Sequence, residues 1–266
     1  MFTGAAGSQV GAAVGDHAFP AIGPAGVVAV RQFVAAAVLL PVARPDLRRF
    51  TWAQWWPTLA LGGVYAAMNL ALYGAVSRIG LALAVTLEFL GPLAIALLGS
   101  RTGRDVACAV AAAVGVYVLV LPGSTNDYLG IAFALAAAAC WAAYIVLNRL
   151  VGARLPGLQA PAAASGVAAL LYLPVAVLLF AQGRMTSTAL ACAVGAGLLS
   201  SALTYAAEFA ALRRVSPRFY SVFMSAHPVL AAVAGLVVLG QHLVLHQWLG
   251  IAIVAGTNAV TVTRAC

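Results

Sequence analysis

Glu88, Arg31, Glu208 and His227 are ionisable side chains embedded in long apolar runs. In a membrane helix such a charge costs roughly 2.5–3.5 kcal/mol at the bilayer centre, so each requires a polar partner or a wet cavity. Glu88 stands in LALAVTLEFLGPLAIAL, followed by Gly91 and Pro92. A prolyl nitrogen leaves the carbonyl four residues earlier without its donor, here that of Glu88 itself, so a helix carrying this run is expected to hinge beside the carboxylate. A carboxylate in that position can hold an ammonium group or cycle a proton, or it can pair structurally with an arginine such as Arg31. Arg31, near the middle of GVVAVRQFVAAAVLL, can grip a carboxylate with two parallel N–H donors or neutralise Glu88. Glu208 lies four residues before the end of its run and can equally snorkel toward Arg213 or Arg214. His227 precedes Pro228, a second expected hinge, and is either a neutral core histidine or a group that exchanges protons near neutral pH. Asn69 and Tyr73, Tyr205, and Trp141, Tyr144 and Asn148 recur at helical spacing and either line the same cavity or act as packing between helices.

The elements that must position these groups are membrane spans. Of 266 residues, 64% are hydrophobic and 8% charged, and the mean hydropathy is +1.03, far from the roughly 25% charged composition of a soluble domain. Apolar runs long enough to cross a bilayer fall at 24–42, 56–77, 80–99, 105–121, 128–148, 159–180, 189–212, 217–239 and 244–263. A weaker, Gly- and Ala-rich run at 2–19 makes about ten, and the first helix is expected to be short or truncated. With ten spans, Arg44, Arg48, Arg49, Arg101, Arg104, Arg149, Arg154, Arg213, Arg214, Arg218 and Arg264 fall on one side, and Arg78 and Arg184 on the other. By the positive-inside rule both termini are cytoplasmic, and Trp52, Trp55 and Trp56 belong to an interfacial belt. The net charge of +8 comes wholly from scattered arginines with no basic stripe, which excludes nucleic acid as a partner. Cys108, Cys140, Cys192 and Cys266 show no metal-ligand or disulfide spacing, so neither metal nor cofactor is expected.

The stretch from Ala75, AVSRIGLALAVTLEFLGPLAIAL, aligns without gaps on that from Ala211, ALRRVSPRFYSVFMSAHPVLAAV, pairing Arg78 with Arg214 and Pro92 with Pro228. Two halves of five helices each, 1–122 and 128–264, would enter the membrane in opposite senses, the inverted repeat of secondary carriers. The run MNLALYGAVSRIGLALAVTLEFLGPLAIAL, with ACWAAYIVLNR and LSSALTYAAEFAALRRVSPRFYSVFMSAHPVLAA, resembles the bacterial threonine/homoserine exporters, EamA-type members of the drug/metabolite transporter superfamily. The resemblance implies an all-α, ten-helix inner-membrane protein that exports small amino acids against proton entry, with Arg31, Asn69, Glu88, Pro92, Trp141, Tyr144, Glu208 and Pro228 at matching positions. It departs at His227, where the family pattern has glutamate, and in the first helix, which lacks two or three turns. Export of other metabolites or drugs is the alternative substrate reading. Two rivals of another kind are a non-transporting remnant and an intramembrane hydrolase built on Ser200 or Ser201 with His227. No G-x-S-x-G or H-E-x-x-H motif supports the latter, and the chain is read as a non-enzyme.

Overall fold

Helices dictated by those apolar runs make up the computed structural model, which describes residues 2–98, 103–121, 127–203 and 226–264. In chain order they are α1 (Phe2–Asp16), α2 (Phe19–Ala43), α3 (Trp52–Ile79), α4 (Leu81–Glu88), α5 (Leu90–Leu98), α6 (Gly103–Leu119) and α7 (Tyr128–Gly152). There follow α8 (Gln159–Leu171), α9 (Leu173–Ala181), α10 (Ser187–Gly197) with a π-helical turn at Leu198–Leu203, α11 (His227–Leu239) and α12 (Leu245–Arg264). The fold is all-α. By length and composition α2, α3 and α7 can each cross a bilayer alone.

Two spans are broken rather than straight. The run at 80–99 divides at Phe89 into α4 and α5. The run at 159–180, expected as one continuous helix, is bent by 43° between α8 and α9. Pro174 near the start of α9 cannot donate to the preceding turn, and the Tyr172 hydroxyl at the bend donates 2.9 Å to the Ala66 carbonyl of α3. A third kink lies inside α2, where Gly23 takes φ 69° immediately before Pro24. That left-handed conformation is open to glycine because it has no Cβ. Counting each broken pair once, the described helices make about ten crossings.

Contacts at the helix ends agree with strict alternation. At one end Arg78 pairs with Asp127 at 2.8 Å, the Leu81 N–H donates 3.1 Å to Gln241 Oε1, and Arg184 donates 2.8 Å to the Ala21 carbonyl. At the other, Arg154 donates to the Ala53 carbonyl and lies 5.5 Å from the Trp56 ring centre, while Gln54 donates 3.2 Å to the Arg154 carbonyl. Trp52 and Trp56 are exposed there, as an interfacial belt requires.

The packing has the symmetry of an inverted repeat. Exchanging α1, α2, α3, α4–α5 and α6 for α7, α8–α9, α10, α11 and α12 turns the α3–α7 contact into α10–α1, α3–α8 into α10–α2, and α4–α7 into α11–α1, all of which are present. The α2–α8, α4–α11 and α6–α12 contacts map onto themselves. Since hydrocarbon supplies no hydrophobic drive between helices, close approach through small side chains holds such a bundle together. One core cluster joins α2, α3, α8 and α10, a second joins α1, α3, α4, α11 and α12, and Phe19 and Leu72 touch both.

Gly91 shows how tight that approach is, because a Cβ built there would lie 2.2 Å from the Ala138 carbonyl oxygen of α7. Gly91→Val should therefore push α5 off α7 and destabilise the folded protein by about 1–3 kcal/mol, the usual cost of overpacking. Gly63→Ala, with nothing within 4 Å of its Cβ, should be neutral or slightly stabilising in the same thermal unfolding assay in detergent.

At the bundle end, the Gly130 N–H, 2.9 Å away, and then the Arg78 guanidinium hold the Asp127 carboxyl below the ordinary carboxylate range. A depressed acid stabilises the fold above its unfolded pKa, and that contribution is lost as pH falls through the folded value. The acid-induced fall in melting temperature should be shallower in Asp127→Asn than in wild type, by a small amount because the pair is exposed.

Candidate functional site

All eight residues of α4 are buried, ending in Glu88 at 5% exposure. Pro92, half-buried in the first turn of α5, offers no N–H to the Glu88 carbonyl, so the helix turns at Phe89 directly beside the carboxylate. Among the described residues Glu88 makes no ion pair within 4.0 Å; the cation within electrostatic reach of it is Arg31. The hinge is fixed sideways by aromatic rings. Phe89 packs edge-on against Trp141 of α7, with centroids 4.6 Å apart, and tilts against the His227 ring of α11 at 5.6 Å. Glu88 therefore stands where the first half of the chain crosses the second.

Arg31 faces the same region from α2. It donates 3.2 Å to the Tyr73 hydroxyl and 3.4 Å to the Ser200 carbonyl, with its guanidinium carbon 5.5 Å from the Tyr73 ring centre. Tyr73 is fully buried and held edge-on by Phe19 at 5.6 Å. Ser200 lies in the π-helical turn after α10, a local widening that displaces carbonyls from the regular ladder and recurs at functional sites. Direct pairing of Arg31 with Glu88, one of the two expectations for this arginine, is therefore replaced by anchorage on Tyr73 and Ser200.

A chain of polar contacts continues across the crossing. The Ser200 hydroxyl donates 2.9 Å to the Ser8 carbonyl of α1, and the neighbouring Gln9 side-chain amide lies 3.2 Å from His227 Nδ1. The Ser200 hydroxyl is thus committed to a backbone carbonyl, not to the histidine as serine hydrolysis would need. Asn69 and Tyr144 form a separate layer one turn along. Asn69 donates 2.8 Å to the Tyr65 carbonyl, and the Tyr144 ring tilts against Tyr65 at 5.6 Å while its hydroxyl accepts 3.2 Å from Asn148. Pro228 is buried at the start of α11. Glu208 and Tyr205 lie outside the described residues. Gln9 and Phe89 were missed from sequence, and Ser200 was read only as the nucleophile of a rival hydrolase. Gln9 had a signal, as an amide in a Gly- and Ala-rich helix, whereas the π-helical turn at Ser200 had none.

A buried carboxylate beside a helix break, with a guanidinium within electrostatic reach, sits in a bundle of apolar helices packed as an inverted repeat, the architecture of a multi-pass membrane carrier. The sequence profile of the EamA-like transporter family matches residues 128–263. The threonine/homoserine exporter RhtA of Escherichia coli K12 is 36% identical over 259 residues, which cover 96% of this chain and 88% of that protein. RhtA of Salmonella typhimurium LT2 is 35% identical over the same shares. One crystal structure superposes with a TM-score of 0.59 at 20% identity, covering 96% of this chain and 95% of that one, which shows the shared fold. The chain belongs to the EamA-like transporter family.

Tyr73→Phe tests the anchorage of Arg31. It removes the hydroxyl acceptor and keeps the ring, so it should lower stability by about 1.5–3 kcal/mol, the range for a hydrogen bond to a charged group. Tyr73→Ala should cost more, because it also leaves a cavity under the guanidinium. Denaturant unfolding in mixed micelles reads both.

Proposed function

We propose that the protein is a secondary-active exporter of small amino acids of the threonine and homoserine kind in a bacterial inner membrane. The identity to exporters of that name over 96% of the chain supports the substrate class. The arginine asymmetry supports cytoplasmic termini. Residues 1–122 and 128–264 act as two repeats that rock about the central site, alternately opening it to each side. The Arg78–Asp127 pair and the Gln241 contact to Leu81 tie the halves together at one bundle end and must loosen when that end opens.

The observation that carries this reading is Glu88, a buried carboxylate at a helix break between the halves, with no ion pair among the described residues. In the cycle it holds the substrate ammonium or a proton, and the exchange of one for the other couples export to proton entry. Arg31, steadied by Tyr73, faces the substrate carboxylate, Glu208 is the second carboxylate for the ammonium or proton, and Trp141, Tyr144 and Asn69 shape the remainder of the pathway. No step calls for a cofactor or a metal.

Inverted membrane vesicles should accumulate labelled threonine and homoserine from an amino-acid panel, and an imposed gradient with acid inside the lumen should increase the uptake. Glu88→Gln should abolish uptake at an unchanged amount of membrane-inserted protein. Full uptake by Glu88→Gln would remove this carboxylate from the mechanism, and accumulation of an unrelated solute alone would replace the substrate class.

A further inference from the structure

Beyond Glu88 and Arg31, the described residues at the crossing of the two halves include an unpartnered polar atom that the cycle above does not use. His227, at 5% exposure, has a buried Nε2 with no hydrogen-bond partner. An unsatisfied buried donor or acceptor costs about 1–3 kcal/mol, and native structures retain few of them. Ser165, His246 and Asn258 also carry buried, unpartnered polar atoms. Among these His227 is the one whose ring contacts the hinge: it packs on Phe89, the residue next to Glu88, and opens helix α11, which crosses α4.

Its protonation pattern follows from its neighbour. Gln9 presents its Nε2 amide at 3.2 Å to Nδ1, so the amide donates and Nδ1 accepts. In a neutral imidazole the proton then resides on the other nitrogen. Nε2 is thereby an N–H donor, fixed in direction by Gln9 and by the Phe89 ring, awaiting an acceptor. With the substrate ammonium at Glu88 and its carboxylate at Arg31, the oxygen left for this donor is the one on the amino-acid side chain.

We propose that the His227 Nε2–H donates a hydrogen bond to the side-chain hydroxyl of the transported amino acid, with Gln9 as the positioning residue that selects the donor tautomer. His227 thereby sets preference for hydroxylated over apolar amino acids of the same shape. The proposal rests on the amino-acid exporter reading and assigns its side-chain specificity. Threonine and valine, which differ by a hydroxyl in place of a methyl, are the discriminating pair.

The test is uptake of labelled threonine and valine by the same inverted vesicles, expressed as a ratio so that the amount of folded protein cancels. Wild type should favour threonine by about tenfold, the value of one hydrogen bond of about 1.4 kcal/mol. His227→Asn, whose amide reaches the Nδ1 position only, should bring the ratio to near one. His227→Gln, whose amide nitrogen can reach the Nε2 position, should retain most of the preference. Gln9→Leu, which leaves the tautomer unselected, should lower the ratio. A wild-type ratio near one, or a full ratio in His227→Asn, overturns the assignment, and a full ratio in Gln9→Leu overturns the positioning role. Transport of neither amino acid by wild type, with another solute carried instead, overturns the exporter reading and this inference with it.

Discussion

A carboxylate in hydrocarbon is tolerated only where protein or water receives it, and much of this structure follows from placing Glu88. The desolvation cost forces the residue inward, and α4 is buried along its whole length as a result. Pro92 breaks the helix at the same depth, so the backbone polar groups released by the break also need shelter. Both demands are met at one place, where α4 crosses α11 and where Trp141 and His227 flank Phe89. The hinge therefore packs against helices of the opposite half of the chain as well as its own.

That arrangement explains why the bundle is built from small residues. A broken helix presents an irregular surface, and a neighbour can follow it only if side chains do not hold the backbones apart. Gly91 against the Ala138 carbonyl is the extreme case, and Ala82, Ala84, Ala231 and Ala232 are buried near the same crossing. Much of the pairing pattern maps onto itself when the halves are exchanged, as α3–α7 does onto α10–α1 and α4–α7 onto α11–α1. The side chains at the counterparts differ. Gly91 corresponds in the repeat to His227, so the same packing position carries bare backbone contact on one side and a polar contact to Gln9 on the other. The result is a pseudo-symmetric frame with an asymmetric interior.

Arg31 illustrates a division of labour between charge and geometry. Its electrostatic influence reaches Glu88, and among the described residues it donates to Tyr73 and to the Ser200 carbonyl without an ion pair to Glu88. A direct ion pair would hold both groups in one geometry and cost several kcal/mol to part. Held at a distance, the two charges moderate each other without an ion pair between them among the described residues. The π-helical turn contributes by aiming a carbonyl at the guanidinium, a task that a regular helix, with its carbonyls engaged along the axis, leaves undone.

Local physics made a good part of this legible from the residues alone. Runs of apolar residues long enough to cross a bilayer determine the helices and their number, and a proline four residues after Glu88 determines a break beside that carboxylate, because each effect acts within one or two helical turns. The 43° bend at Tyr172 escaped the same reasoning: Pro174 was visible, but prolines sit unbroken in apolar spans often enough that the bend is decided by the Tyr172 contact to α3. The partners of Arg31 and the meeting of Gln9 with His227, 218 residues apart, were decided by tertiary structure alone. Sequence spacing records which side chains share one helix face, whereas contact between faces of different helices depends on how the two halves pack, and that is a property of the assembled bundle.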